Sequence, residues 1–137
     1  MASDLQTSMI ISAAGLRAQG QRVKAISENV ANANSTADTP GGDPYRRKVI
    51  TFGNVFNREL DADVVRVKKI LGDQSEFGLV FDPNHPAAGK DGYYKTPNVN
   101  GLVEMSDMRE AQRSYEANLN MIETSRSMLT RTIDLLR

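Results

Sequence analysis

Apolar residues recur along the first thirty positions at alternating steps of three and four. Leu5, Met9, Ser12, Leu16, Gln19, Val23, Ile26 and Val30 form the series, and six of its eight members are apolar. This is the heptad pattern of a helix that buries one narrow stripe against a partner helix. Ser3 or Asp4 is placed to cap the start of this helix, and the run Asn29, Asn32, Asn34, Ser35 to end it, because short polar side chains bond to nearby backbone. A second series closes the chain: Met105, Met108, Gln112, Tyr115, Leu119, Ile122, Arg126, Leu129, Ile133 and Leu136. The pattern predicts a continuous helix over 103–136, about 50 Å long at 1.5 Å per residue. Its first turns carry Glu104, Asp107 and Glu110 and its end Arg131 and Arg137, a polarity that suits the helix dipole. Neither stripe can be buried by its own helix, so each needs a partner, and the nearest is the other end of the same chain.

Between these ends the pattern changes. All five prolines lie from Pro40 to Pro97, and the flanks contain none. Helix breakers confined to one section leave the ends free to be helical. The middle predicts short strands at 47–52, 64–71, 78–81 and 93–95, where β-branched and aromatic residues concentrate. In the second of these, Val65 and Val67 alternate with Arg66 and Lys68, as on a half-buried strand. Pro40-Gly41-Gly42-Asp43-Pro44 and Asp82-Pro83-Asn84-His85-Pro86 are turn-forming clusters. The fold class that follows is mainly α with a small β-containing module. Residues 1–36 and 101–137 pair as a helical coiled-coil core, and 37–100 form a β-rich outer module.

Composition narrows what such a chain can do. Seventeen basic residues balance seventeen acidic ones, so the basic excess of a nucleic-acid binder is missing. There are no cysteines, which removes disulfides, zinc–thiolate sites and thiol catalysis and suits a chain that leaves the cytoplasm unfolded. No apolar stretch near the start is long enough to span a bilayer, and none has the flanks of a cleaved signal peptide. His85 is the one histidine, set between two prolines, and reads as a turn residue. No phosphate-binding loop, dinucleotide fingerprint or catalytic triad context is present; no catalytic, metal or cofactor residues are assigned, and no small-molecule substrate. Arg46-Arg47-Lys48 reads as the solvated start of a strand, and Tyr93-Tyr94 as one outward and one inward ring. Asn34-Ser35-Thr36 is a formal glycosylation sequon of a kind frequent by chance. Gly15 and Gly20 each cost about 1 kcal/mol of helix propensity; either the first helix is frail there, or a neighbouring helix approaches closely.

Particular strings say more than the periodicity. Asn29-Val30-Ala31-Asn32-Ala33-Asn34 resembles the N-terminal signature shared by flagellar rod, hook and hook-associated proteins. Pro40-Gly41-Gly42-Asp43-Pro44-Tyr45-Arg46-Arg47-Lys48 resembles the extended form in a proximal-rod branch of that family. Asp82 to Pro86, Gly92-Tyr93, Pro97-Asn98-Val99-Asn100, and Glu104-Met105 through Asn118 follow the same branch. The resemblance implies terminal helices in a common axial layer, a small outer module, and a structural role in the periplasm-crossing drive shaft. It implies location in the basal body, with export by the flagellar type III apparatus without a cleaved signal peptide. Implied partners are further copies of the chain, other proximal rod subunits, the rod-base adaptor and the distal rod protein. The packing residues expected at subunit and helix interfaces are Leu5, Met9, Leu16, Val23, Ile26, Val30, Met108, Tyr115, Leu119, Ile122, Leu129, Ile133 and Leu136, with Gly15 and Gly20 as close-approach points. A cytoplasmic coiled-coil adaptor gripping one partner helix is the competing reading from the residues alone.

Overall fold

In the computed structural model, which describes residues 2–137, the chain runs α1 (Ala2–Ala31), β1 (Lys48–Asn57), β2 (Ala62–Gly72), β3 (Gly78–Phe81), β4 (Tyr93–Thr96) and α2 (Gly101–Leu135). Two helices flank a middle of short strands, as the proline distribution predicts. β1 and β2 form one two-stranded sheet and β3 and β4 another. The second is antiparallel, with Leu79 opposite Lys95 and Phe81 opposite Tyr93. The turn between β1 and β2 is held by Asn57, whose Oδ1 accepts the Glu59 N–H at 2.9 Å.

The helix boundaries correct three expectations. α1 begins at Ala2, so Ser3 and Asp4 lie inside the helix rather than capping it; Asp4 sits in the first turn, where it meets the positive end of the dipole. α2 begins at Gly101, and its cap is Asn100, whose Oδ1 accepts the N–H of Leu102 at 3.0 Å and of Val103 at 3.4 Å. The last turn of α2 carries no basic residue, because the helix stops at Leu135 before Arg137 and a full turn beyond Arg131. At the other boundary the asparagine run ends α1 as expected. Asn32 Nδ2 donates back to the Glu28 carbonyl at 2.8 Å, and Asn32 Oδ1 accepts from Ser35 Oγ at 3.0 Å.

The chain forms two compact units, 1–23 with 51–69 and 109–137, and 24–50 with 70–108. In the first, α1 and α2 run antiparallel: Leu5 shares a groove with Met128, Arg131 and Thr132, Gly15 faces Asn118, and Arg22 pairs with Glu110 at 3.4 Å. On α1 the expected series is mostly covered, with Ser12 and Ile26 buried and Leu5, Met9, Leu16 and Val23 half-buried, but most of the deeply buried positions on both helices are small or polar rather than large and apolar. On α1 the buried stripe runs through Ser12, Ala14, Ala18, Ala25, Ile26 and Asn29, while Val30 is exposed. On α2 it runs through Glu104, Ala111 and Ser125, with half-buried Asn118 completing a seven-residue repeat. The expected series on α2 has the right period but lies one residue away in phase; one residue is 100° around a helix. Met108, Ile122 and Leu129 are half-buried, whereas Met105, Tyr115, Leu119, Ile133 and Leu136 stay exposed. Small side chains win the inner face because they let two backbones approach, and the large ones are left at the flanks.

Gly15 shows how close that approach is. A methyl group there would sit 2.7 Å from Asn118 Oδ1, well inside van der Waals contact, and Asn118 is itself tied to the Ser114 carbonyl. Gly20 has nothing within 4 Å, so within this chain only the first glycine is a close-packing position.

The second unit is held by turns. Gly41 has φ 73°, a left-handed conformation that favours glycine, and donates its N–H to the Ala87 carbonyl at 3.2 Å. Beside it, a Cβ on Gly42 would lie 2.7 Å from that of Ala37. Pro44 and Pro97 are buried, while Pro40 and Asn34 are exposed. His85 ties the turn together. Its Nδ1 accepts the Ala87 N–H at 3.1 Å, which places the ring proton on Nε2, 3.3 Å from Thr36 Oγ1. Its ring stacks on Tyr94 with centroids 3.8 Å apart and planes 6° from parallel. The Tyr93 ring points the other way, edge-on to Phe81.

Candidate functional site

The largest fully buried side chains are Glu104 and Asn29, both polar. Burial of a carboxylate and a carboxamide is costly unless every polar atom is bonded, and here they anchor a network within the second unit. Asn29, near the end of α1, grips β1 like a neighbouring strand. Its Oδ1 accepts the Lys48 N–H at 2.8 Å and its Nδ2 donates to the Lys48 carbonyl at 2.9 Å. The second Nδ2 proton goes to Glu104 Oε2 at 3.1 Å, and Tyr45 Oη donates to Asn29 Oδ1 at 2.9 Å. Burial pushes the Tyr45 phenol pKa up, which keeps the donor proton in place.

Arg47 closes the network from the other side. Its Nε donates to Glu104 Oε1, its two terminal nitrogens lie 3.4 Å from Asp73 Oδ2 and 3.3 Å from Asp107 Oδ2. Its backbone N–H donates to Asn98 Oδ1 at 2.8 Å, and Asn98 Nδ2 donates to the Asp73 carbonyl at 3.0 Å. Burial works against the Arg47 charge, but the bonds from Glu104 and Asp73 outweigh it and raise its pKa. On the flanks, the Arg46 guanidinium lies 4.2 Å over the Phe77 ring, and Lys48 pairs with Glu28 at the surface. Arg46 and Arg47 are therefore not solvated, while Lys48 is the exposed first residue of β1, as expected. A lone arginine reads as solvated in sequence because its three carboxylate partners lie 26, 57 and 60 residues away.

Of the residues singled out by motif, Asn29, Tyr45 and Asn98 converge here, Asn32 and Asn100 terminate the adjoining helices, and Gly41, Gly42 and Pro97 shape the turns. Arg47 and Glu104, which hold the centre, were not among the expected site residues. The signal for Glu104 was its place in the first turn of α2, which reads equally well as dipole compensation.

Asp73 gives the junction a pH dependence. The Ser75 N–H and hydroxyl, and after them Arg47, hold its carboxyl below the usual range. A depressed carboxylate contributes stability above its unfolded pKa and loses it as pH falls through the folded one. Urea midpoints at pH 7 and pH 3 should therefore differ less in Asp73→Asn than in the parent chain. An equal drop in both would remove Asp73 from the acid limb.

What the arrangement does is join segments: Glu104 is bonded by Asn29 and Arg47, and Arg47 also reaches Asp73 and Asp107. Residues 90–135 match the family model described as flagellar basal body rod FlgEFG protein C-terminal. This match, over α2 and the segment before it, is to a class of structural, non-enzymatic flagellar rod proteins. The chain is 50% identical over 127 residues to the flagellar basal-body rod protein FlgC of Agrobacterium fabrum, covering 93% of this chain and 91% of that one. It is 39% identical to FlgC of Borreliella burgdorferi, over 97% and 98% of the two chains, and 36% identical to FlgC of Bacillus subtilis, over 93% and 95%. The chain belongs to the FlgC family of flagellar basal-body rod proteins, and its place is the flagellar basal body.

Proposed function

We propose that this rod subunit self-assembles into the proximal rod and transmits torque across the periplasm through many shared helix interfaces. Residues 1–36 and 101–137 supply the axial layer, paired as a coiled coil, and 37–100 the outer module. It leaves the cytoplasm through the flagellar type III apparatus without a cleaved signal peptide. Its neighbours are further copies, other proximal rod subunits, the rod-base adaptor and the distal rod protein. One observation carries the reading: the large apolar side chains of α2 lie outside rather than inside. Leu102, Met105, Met121, Met128, Ile133, Leu135 and Leu136 are 49–87% exposed. So much apolar surface on one helix marks an interaction face, and a rod supplies neighbours for it along its whole length.

The test separates assembly from folding. Ile133→Asp alters a residue 52% exposed, so the isolated chain should keep its stability within about 0.5 kcal/mol while rod formation and motility are lost. Leu129→Asp, on the half-buried flank, should impair assembly too. His85→Ala removes the Ala87 and Thr36 bonds and should cost about 1–2 kcal/mol of stability, yet leave motility intact at equal expression. Normal swimming with Ile133→Asp, or a worse defect with His85→Ala, would count against the exposed face as the assembly surface.

A further inference from the structure

We propose that the groove between α1 and the β1–β2 hairpin of the first unit receives α2 of a second copy of this chain, gripped by two arginine–glutamate pairs. The inference rests on the self-assembly proposed above and names a contact for it. The groove encloses about 440 Å³, with Ala14, Ala18, Val55 and Val67 among the residues that line it and Arg17 and Arg66 at its rim. Val55 remains 46% exposed there. Both arginines are exposed, and neither forms an ion pair or hydrogen bond among the described residues. The groove is thus mainly aliphatic, with Gln21 and Asn57 as its uncharged polar residues, between two uncompensated positive charges.

The complementary surface lies on α2. Glu116, Leu119 and Glu123 stand at i, i+3 and i+7, which places them on one helical face. All three are exposed, Leu119 by 40%, and neither carboxylate has a partner among the described residues. Seven residues separate the two glutamates, about 10 Å along the axis, with the leucine between them. An apolar knob flanked by two carboxylates matches a mainly aliphatic trough flanked by two guanidinium groups. Opposite potentials of this kind set register and exclude wrong partners more than they add affinity. The same chain cannot make the contact, because its own α2 turns Ala111 and Ser125 inward and Glu116 and Glu123 outward. Groove and knob are different surfaces, so the contact is heterologous. Such contacts repeat without closing when the rotation does not complete a ring, which is the geometry that a rod requires.

The chain contains no cysteine, so an introduced pair reports on one contact. Basal bodies purified from cells expressing Arg66→Cys with Glu123→Cys and treated with mild oxidant should yield covalent dimers and higher multiples of this chain. Either single variant should yield none. Arg66→Glu and Glu123→Arg should each lower the amount of chain recovered in basal bodies, and the two together should restore it. Cross-links only to a different protein, no cross-link despite normal recovery of the double variant, or full recovery of both charge reversals would overturn the proposal and leave self-assembly standing. Absence of the unaltered chain from purified basal bodies would instead sink the self-assembly reading itself.

Discussion

Arg47→Met is expected to lower the unfolding free energy by about 3–5 kcal/mol, the usual consequence of removing one partner from a buried ion pair. Glu104 is fully buried, and Arg47 supplies the donor to its Oε1. Without the guanidinium, Asn29 Nδ2 is the one side-chain donor left to that carboxylate among the described residues, and Asp73 and Asp107 lose a shared cation. Burying a charge with half its bonds missing costs more than the pair itself contributes. The double variant Arg47→Met with Glu104→Met should therefore regain most of the loss, since apolar replacement of both partners is often neutral. Urea denaturation of the four members of this cycle decides the matter. A loss below about 1 kcal/mol in the single variant would mean that the guanidinium behaves as an exposed charge.

Asn29→Asp is expected to be nearly as damaging, and to show the opposite pH trend from Asp73. The substitution keeps the shape but replaces a donor with an acceptor. The new oxygen would face Glu104 Oε2, 3.1 Å away, and the Lys48 carbonyl at 2.9 Å. Two unsatisfied contacts of this kind, one between charges, cost about 3 kcal/mol or more. Like-charged carboxylates this close raise the pKa of one of them. A carboxyl whose folded pKa is raised favours the folded state most when protonated, and that contribution fades as pH climbs above the unfolded value. The deficit of Asn29→Asp relative to the parent chain should therefore shrink between pH 7 and pH 5. A deficit that is constant over this range would show that the two carboxylates do not sense each other.

Much of the architecture was legible because it is written in local chemistry. Prolines confined to the middle free both ends to be helical, and β-branched runs mark the strands; all four strand positions appear within a few residues of expectation. The phase of α2 was not legible, whereas that of α1 largely was. Counting large apolar residues finds the seven-residue repeat, but the face that turns inward is chosen by Ala14, Gly15, Ala18 and Ala111, whose virtue is what they lack. The junction was legible only in part. Asn29, Tyr45 and Asn98 stood out through resemblance, whereas Arg47 and Glu104, though they lie in the same strings, read only as charges, because a charged side chain looks solvated until the fold brings its partners. Gly20 has nothing within 4 Å, so the close approach expected there is not made within this chain.

The Asn29–Glu104 bond joins residues 75 positions apart. Forming it requires closure of a long loop, and such contacts come late because the entropy of closure must be met first. For a polypeptide that emerges with its amino end leading, the clasp on β1 can be made by Asn29 as soon as Lys48 is free, but it cannot be locked until Glu104 has followed. Over that interval of more than fifty residues the leading helix has its anchor but not its bolt. The network therefore cannot be complete until about three-quarters of the chain has been delivered, with most of α2 still to arrive.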